Sequence, residues 1–549
     1  MILDSREMPD GLTLSADVCV IGAGPVGISL ALALAEAGRE VLLLEAGGAA
    51  PDPADQALYA GHVVDPALHS PLHEYRERRL GGSTTIWGGR CVPFDPIDFE
   101  VRAWIAGSGW PIDRAALDPY YPRANRLCEA GAFAYAADAA FAQPLPPMIA
   151  GFDGNAFTDT SLERFSCPTD FGRRYRTKLT QTPAVRLLLH ANVVDLALAH
   201  DGGRIERVEV ATLGNGARRF KIAPRQVVLA AGGLETARLL LASNGVQANG
   251  IGNAHDVVGR YYMSHIAGTI GAFTPAGGAA SVWNGYDIAD DGTYCRRRLA
   301  LGAAAQRSHR TGAFVARLHH PRIGDPAHRS GPLSALHLGR ALVPRQFRKR
   351  LDPKAGGTVR HLANTMRQAP AVARFGWDMA VRRRLAARKY PSVVVQPPGG
   401  VFTLDVHAEQ LPNRASRVTL ARDDRDALGM PRLVADWRYL PEDVATVRTG
   451  LTLLAEDFTR SGSGTLTWDD EKVEAEMLRD GAYPGHHIGT ARMGDDPKTS
   501  VVDRHCRVHG VGNLHVAGAA VFPTSSQANP TLTAVALALR LADRLGRGK

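Results

Sequence analysis

The chain has 549 residues, 45% of them hydrophobic and 22% charged, with a formal net charge of +9. That length exceeds one ordinary core and predicts two domains or more, and the composition is that of a globular protein and not of a disordered or fibrous one. No apolar run approaches the roughly 18 residues needed to span a bilayer, so no transmembrane helix is expected.

The first informative stretch is Asp17 to Gly47. Val18 to Ile21 is a short, β-branched apolar run suited to a buried parallel strand. Gly22, Gly24 and Gly27 follow at the spacing G-x-G-x-x-G. Ile28 to Ala37 then reads as a helix stopped by Gly38, and Val41 to Leu44 as a second buried strand ending in Glu45. In this setting the first glycine permits a tight turn and the second lets backbone approach a pyrophosphate. The third lets the helix pack on the sheet, and the terminal acid holds ribose hydroxyls. The pattern predicts an adenine dinucleotide and leaves NAD or FAD open. Because this strand starts near residue 17, no cleaved signal peptide is expected ahead of it, and a cytoplasmic location is the expectation.

A polar stretch to about Glu74 reads as loop. Arg76 to Arg90 contains Gly81, Gly82, Ser83, Trp87 and Gly88, a backbone suited to lie against a planar or anionic ligand. Asp113 caps a short helix to Leu117, and Asp118-Pro119 opens a second reaching about Glu129. Residues 131–180 read as loops over a site. Asn192 to Val194 and Arg207 to Thr212 form a β-meander about Asp201-Gly-Gly203, and Gln226 to Gly233 is another strand ending in glycines, followed by a helix to Ala242.

From about 266 to 478 alternating strands (His265 to Phe273, Gly312 to Leu318, Val401 to Ala408, Arg417 to Leu420, Leu433 to Trp437) precede a helix, Pro441 to Ser461. Between Arg340 and Lys389 fourteen Lys or Arg stand against Asp352 and Asp378, so the basicity is a local patch. Its arginines alternate with Leu342, Phe347, Leu351, Met366, Phe375, Trp377, Met379 and Leu385. This fits an amphipathic segment on an anionic membrane surface, or an insertion that packs by its apolar face. No nucleic-acid module is recognisable, so no nucleic-acid partner is expected. The six cysteines (Cys19, Cys91, Cys128, Cys167, Cys295, Cys506) have neither C-x-x-C nor metal spacing. They read as reduced thiols, and no metal site is expected.

The last 70 residues hold a paired-histidine loop, Tyr483 to Gly494, a third glycine-ended strand, Asn513 to Gly518, and a long apolar helix to about Leu545. Asn529 suits its N-cap and Pro530 its first helical position, and free N–H groups there favour a developing anion. A general base working near neutral pH is most economically a histidine, and an Asn N–H can hold an alkoxide-like oxygen.

Taken in order, the fingerprint 22–45, Leu80 to Thr84, Trp110-Pro-Ile112, Val228 to Gly232, Gly259-Arg-Tyr261, His486 to Gly494, and Val516 to Gly518 through Asn529-Pro-Thr531 resemble the glucose–methanol–choline family of flavin alcohol oxidoreductases. The C-terminal phrasing is most similar to its sugar- and glycoside-oxidising branch. The resemblance implies an α/β fold: a discontinuous Rossmann-like FAD-binding domain (1–110, 183–265, 479–549) and an α+β substrate domain on an antiparallel sheet (111–182, 266–478). It implies FAD, with His486 as the base, His487 as its neighbour and Asn529 as the second active-site group. The cofactor contacts expected are Gly22, Gly24, Gly27, Glu45, Ala46, Gly82, Ser83, Trp87, Gly88, Val193 near the adenine, Ala231, Gly232, Gly518, Ala519, Pro530 and Thr531. Relatives that attach FAD covalently carry a histidine just before that Trp, whereas Ile86 precedes Trp87 here, so non-covalent FAD is expected. The activity implied is oxidation of an alcohol or sugar with oxygen, a quinone or a redox protein as electron acceptor. A non-redox lyase on the same scaffold, or oxidation of a sterol- or lipid-like alcohol at a membrane, is the alternative.

Overall fold

Five strands set the architecture because their carboxyl ends finish level. In the computed structural model, which describes residues 1–214, 216–342, 357–479, 481–483 and 485–548, Thr13–Ile21, Val41–Leu44, Val185–Leu189, Arg219–Leu229 and Leu514–Val516 run parallel in one eight-stranded sheet. Ile21 pairs with Leu44 and with Leu229, Leu44 with Leu188, and Leu229 with Val516. Glu45, Gly22, Ala230 and Ala517 therefore follow one another along a single edge. Strands buried on both faces read as continuous apolar runs, and Val18, Cys19, Val20, Leu42, Leu43, Val227 and Val228 are almost fully buried. The helices Pro25–Glu36 and Thr531–Gly546 pack against each other, so the two ends of the chain build one body. The antiparallel meander Asn192–Leu198, Ile205–Ala211 extends the sheet from the amino half of Arg219–Leu229, which is longer than expected.

A second, six-stranded sheet is antiparallel throughout, in the order Gly464–Thr467, His265–Pro275, Phe402–Glu409, Phe314–His319, Leu299–Leu301, Phe157–Thr158. Its register sorts the side chains into two faces. Phe314, Ala316 and Leu318 share one face with Phe402, Leu404, Val406 and Ala408, and with Ile266, Ile270 and Phe273. The helix Pro441–Ser461 covers that face: Phe458 lies 4.2 Å from Phe273 ring to ring, and Gly450 leaves room for Phe314. The opposite face carries His265, His407, Asp405, Arg317 and Glu409. A polar sheet face that is nonetheless buried requires partners, and Glu409 and Arg317 have them. Glu409 accepts from both guanidinium nitrogens of Arg102 (2.6 and 2.7 Å), and Arg317 donates through Nε to Glu163 (2.8 Å).

Two short sheets join these layers. Arg90–Cys91, Leu162–Phe165, Tyr294–Arg297 and Asp287–Ile288 form one; His62–Val63, Pro431–Asp436 and Arg417–Arg425 form the other. Several expectations need correction. Residues 131–180 are not all loop: Phe171–Gln181 is a helix capped by Asp170, which accepts from the Arg173 N–H, and it buries Phe171, Tyr175 and Leu179. The helix expected from Asp118-Pro119 begins at Tyr121 and ends at Leu127, and the turn capped by Asp113 is a 3-10 turn, Arg114–Ala116. In the basic segment the described residues form helices Thr358–Arg367 and Ala369–Met379 and a π-helical turn, Ala380–Leu385. Phe347, Leu351 and the rest of 343–356 lie outside the described residues. Among the described residues no helix is long and apolar enough to cross a membrane.

Candidate active site

The carboxyl edge of the parallel sheet gathers the glycine motifs. Gly22 has φ +105°, and a Cβ there would lie 2.6 Å from the Ala230 carbonyl oxygen. A Cβ on Gly27 would lie 1.8 Å from the carbonyl oxygen of Gly22. These two glycines are therefore required by the protein's own packing. Gly24, Gly88 and Gly232 are different, because a Cβ on any of them would meet no heavy atom within 4 Å. Bare backbone is therefore open to a ligand at these three positions.

Glu45 closes the turn from below, accepting the Ala23 N–H through Oε2 and the Gly47 N–H through Oε1, both at 3.0 Å. Burial pushes its pKa up, and the two amides and Arg78 oppose this. A carboxylate has about four acceptor positions, so two remain for further donors. The turn Gly82–Thr85, which contains Ser83, is tied to the same loop by the Gly81 N–H on the Ala23 carbonyl (2.9 Å), and a Cβ on Gly82 would touch Gly24 Cα at 3.2 Å. The backbone at 190–191 hydrogen-bonds Gly47 and Glu45, and Val193 follows in the strand that begins at Asn192. There Arg78 Nε and Asn192 Nδ2 are buried donors with no partner among the described residues. Gly518 (φ +105°) and Ala519 stand at the end of the fifth strand, beside Val26, and Ala231 caps the helix Gly232–Ala242. Trp87 is fixed by its Nε1–H on the Thr169 carbonyl (2.9 Å). A line of open glycines, a helix start, an acid and orphaned donors fits an extended dinucleotide.

The histidine loop bridges this edge to the second sheet. Ile488 and Met263 exchange two backbone hydrogen bonds (2.9 and 3.0 Å), and the Tyr483 N–H reaches the His265 carbonyl. On the other side the Gly489 N–H donates to Ala519 O, and Thr490 Oγ1–H to Gly233 O (2.6 Å). Held at both ends, the loop places His486 Nε2 3.1 Å from Asn529 Nδ2, and His486 Nδ1 2.7 Å from Nδ1 of His265. Tyr483 packs against the His486 ring at 4.8 Å and the His407 ring at 4.6 Å. His265 Nε2 points at the Ser525 carbonyl oxygen (3.2 Å). Burial holds His265 down to about 4 and drives His407 well below the usual imidazole value, Arg317 and Arg90 adding to the latter.

His487 lies elsewhere. Its ring faces Tyr262 (6.2 Å, near parallel), and burial with Arg76 and His69 holds its pKa well below the ordinary value. The two adjacent histidines are thus divided between two surroundings, and only His486 meets Asn529. Asn529 does not cap the last helix. Pro530 is the N-cap, its carbonyl accepting the Ala534 N–H (2.9 Å), and Thr531 is the first helical residue. The Asn529 side chain is aimed at His486. His265 was not among the candidates read from sequence. It has no local motif and is recognisable only through the backbone pairing of 263 with 488.

A parallel sheet with a dinucleotide cradle on its carboxyl edge, faced by a half-buried histidine–asparagine pair under an antiparallel sheet, defines a flavin-dependent oxidoreductase fold. Residues 17–312, more than half of the chain, match the family model for FAD dependent oxidoreductase, and residues 412–538 match that for GMC oxidoreductase. The chain belongs to the FAD-dependent oxidoreductases, as a GMC-type enzyme. It is similar to the fructose dehydrogenase large subunit of Gluconobacter japonicus, 26% identical over 97% of this chain and 98% of that one. It is also similar to paromamine 6'-oxidase of Streptomyces fradiae, 24% identical over 96% of this chain and 90% of that one. Among solved structures, pyridoxine 4-oxidase from Mesorbium loti shares the fold, with TM-score 0.52, 17% identity, and coverage of 96% of this chain and 99% of that one.

Proposed function

We propose that this enzyme oxidises a CH–OH group of a sugar, glycoside or related polyol to a carbonyl, with His486 as general base and Asn529 holding the substrate oxygen. The observation that carries the reading is the pair His486 Nε2 and Asn529 Nδ2, 3.1 Å apart at the carboxyl edge of the cofactor sheet. An alcohol needs an acceptor for its proton and a donor for its oxygen, and these two atoms are one of each. When bound, FAD supplies the hydride acceptor, its N5. The names of the fructose dehydrogenase and paromamine 6'-oxidase relatives support a sugar or glycoside as substrate. The helix from Thr531 adds free N–H groups where negative charge develops, and His487 is given a packing role against Tyr262. In this reading 1–110, 183–265 and 479–549 form the cofactor domain, and 111–182 and 266–478 the substrate domain. Anaerobic addition of a panel of sugars and glycosides is expected to bleach the flavin absorbance. A panel that is turned over without bleaching would instead support a non-redox lyase on this scaffold.

Cofactor attachment follows from Ile86. A hydrocarbon side chain at the position before Trp87 has no nucleophile to bond the flavin. Acid precipitation is therefore expected to give a colourless pellet and a yellow supernatant; a yellow pellet would overturn non-covalent binding.

The basic segment supports a peripheral contact with an anionic bilayer in a cytoplasmic enzyme. Val359, Leu362 and Met366 follow one another at i, i+3 and i+7 along Thr358–Arg367, and Trp377, Val381 and Leu385 at i, i+4 and i+8 along the next helical stretch. All six side chains are exposed, Trp377 by 71% and Leu385 by 78%, among Arg360, Arg367, Arg374, Arg382 and Arg384. Exposed apolar stripes flanked by arginines match the interface of an anionic bilayer. Flotation with vesicles containing phosphatidylserine is expected to carry the protein up, and vesicles of phosphatidylcholine alone to leave it behind. Failure with both, or equal flotation with both, would remove the proposal.

A further inference from the structure

We propose that His265 is a positioning residue for His486: its Nδ1 accepts the hydrogen bond of His486 Nδ1–H and so fixes the tautomer that leaves the lone pair on His486 Nε2. The inference rests on the reading of His486 as the base and adds what sets its protonation pattern.

The Ser525 carbonyl oxygen can only accept. His265 Nε2, 3.2 Å away, must therefore carry the proton. His265 is fully buried at the start of the strand His265–Pro275, and that burial holds it neutral, with a pKa near 4. A neutral imidazole has one N–H, so its Nδ1 is bare. His486 Nδ1 lies 2.7 Å from that bare nitrogen. Two unprotonated nitrogens at this distance would oppose their lone pairs, so the proton between them belongs to His486. The neutral His486 ring then has no proton on Nε2. Asn529 Nδ2, a donor, stands 3.1 Å from Nε2, as this assignment requires. The same four groups read in reverse would set a bare His265 Nε2 against a carbonyl and leave Nε2 of His486 protonated, useless as a base.

The arrangement also bears on basicity. When the alcohol O–H bond breaks, its proton forms the N–H bond at His486 Nε2 and the ring becomes imidazolium, while the hydride leaves the carbinol carbon for the cofactor. The Nδ1–H of that cation still donates to neutral His265, which favours the protonated form. The groups facing the two rings do not reverse this. Glu409, register partner of His265, is ion-paired with Arg102 through two hydrogen bonds, and its pull on the His265 proton is outweighed by burial. His407, 6.2 Å from His265 ring to ring, is kept neutral by burial together with Arg317 and Arg90. Tyr483 and Asn529 complete the surround.

His265→Leu and His265→Asn, purified with bound FAD, test this by anaerobic stopped-flow reduction across pH. His265→Leu is expected to lower the limiting reduction rate by roughly tenfold or more, a part of the ~10²–10⁴ that general-base catalysis supplies, with less change in KM. The sign of the pH effect is set by the base. His486 works unprotonated, and His265 raises its pKa by accepting from the cation. Its loss lowers that pKa, so the acid limb of kcat/KM moves to lower pH while the plateau falls. His265→Asn, whose Oδ1 can accept from His486 Nδ1–H, is expected to restore most of the rate and the limb. Wild-type rate and limb in His265→Leu would overturn the proposal, as would equal losses in Leu and Asn with an unmoved limb, the signature of a packing role. His486→Ala run in parallel separates the two levels: if it reduces flavin normally the base assignment fails, and if it alone is impaired only the role of His265 fails.

Discussion

His486→Ala is expected to slow substrate-driven flavin reduction by ~10²–10⁴-fold, the range that a positioned general base contributes, while the purified variant stays yellow. The second half of that expectation comes from where the side chain lies. The loop that carries His486 is fixed by backbone bonds at Met263–Ile488 and Gly489–Ala519, and by Thr490 Oγ1 on Gly233, none of which involves the imidazole. The cradle glycines, Glu45 and the Gly82–Thr85 turn are likewise untouched. Rapid mixing with substrate in the absence of oxygen isolates the reductive half-reaction, so the electron acceptor does not enter. Asn529→Ala gives a useful companion, because it removes the donor and leaves Nε2. It is expected to cost less than His486→Ala and to act on the same step. Normal reduction by His486→Ala would reject the base assignment; a colourless His486→Ala would mean the loop depends on the imidazole after all.

The cofactor half of this architecture was legible because its determinants are local. Strand, G-x-G-x-x-G, helix and terminal acid fall within 31 residues of Asp17 to Gly47, and Gly22 and Gly27 have a steric reason that sequence spacing expresses. The helix Phe171–Gln181 also has a local signal: Phe171, Tyr175 and Leu179 recur at i, i+4 and i+8 after the cap Asp170, among five polar or charged neighbours of the kind a solvated face carries. The site itself is another matter. His486 and Asn529 stand 43 residues apart and His265 a further 221 from His486. Their meeting depends on a backbone pairing, Met263 with Ile488, between two segments whose sequences say nothing of each other. The resemblance to a flavin family supplied the first two residues and was silent on the third. The assignment of Asn529 as an N-cap failed for a related reason. Cap preference describes an isolated helix end, and here the half-buried His486 imidazole offers the side chain another partner while Pro530 takes the cap.

Gly24→Ala and Gly27→Ala are expected to fail in different ways, and the difference tests the division drawn between packing glycines and cradle glycines. A Cβ on Gly27 would sit 1.8 Å from Gly22 O, 3.0 Å from Gly22 C and 3.4 Å from the Ala230 side chain. The first two are backbone atoms of the turn itself and cannot swing aside, so the helix Pro25–Glu36 must move off the sheet. Overpacking of this kind costs about 1–3 kcal/mol or more, and the displaced helix start no longer faces the cofactor. Gly27→Ala should therefore be recovered colourless, with an apoprotein that melts well below wild-type apoprotein. Gly24 is the opposite case. Its φ is −78°, open to any residue, and its Cβ would meet no protein atom within 4 Å. Gly24→Ala apoprotein should melt with wild-type apoprotein, yet bind FAD far more weakly in a fluorescence-quenching titration. The added methyl occupies the place where backbone approaches the pyrophosphate. The stabilisation that FAD binding gives wild type, RT ln(1 + [L]/Kd) for a ligand of the native state, should then be largely missing from Gly24→Ala at the same FAD concentration. Unchanged FAD affinity in Gly24→Ala would move the pyrophosphate away from this turn, and a normally melting, yellow Gly27→Ala would mean that the turn and helix can separate without cost.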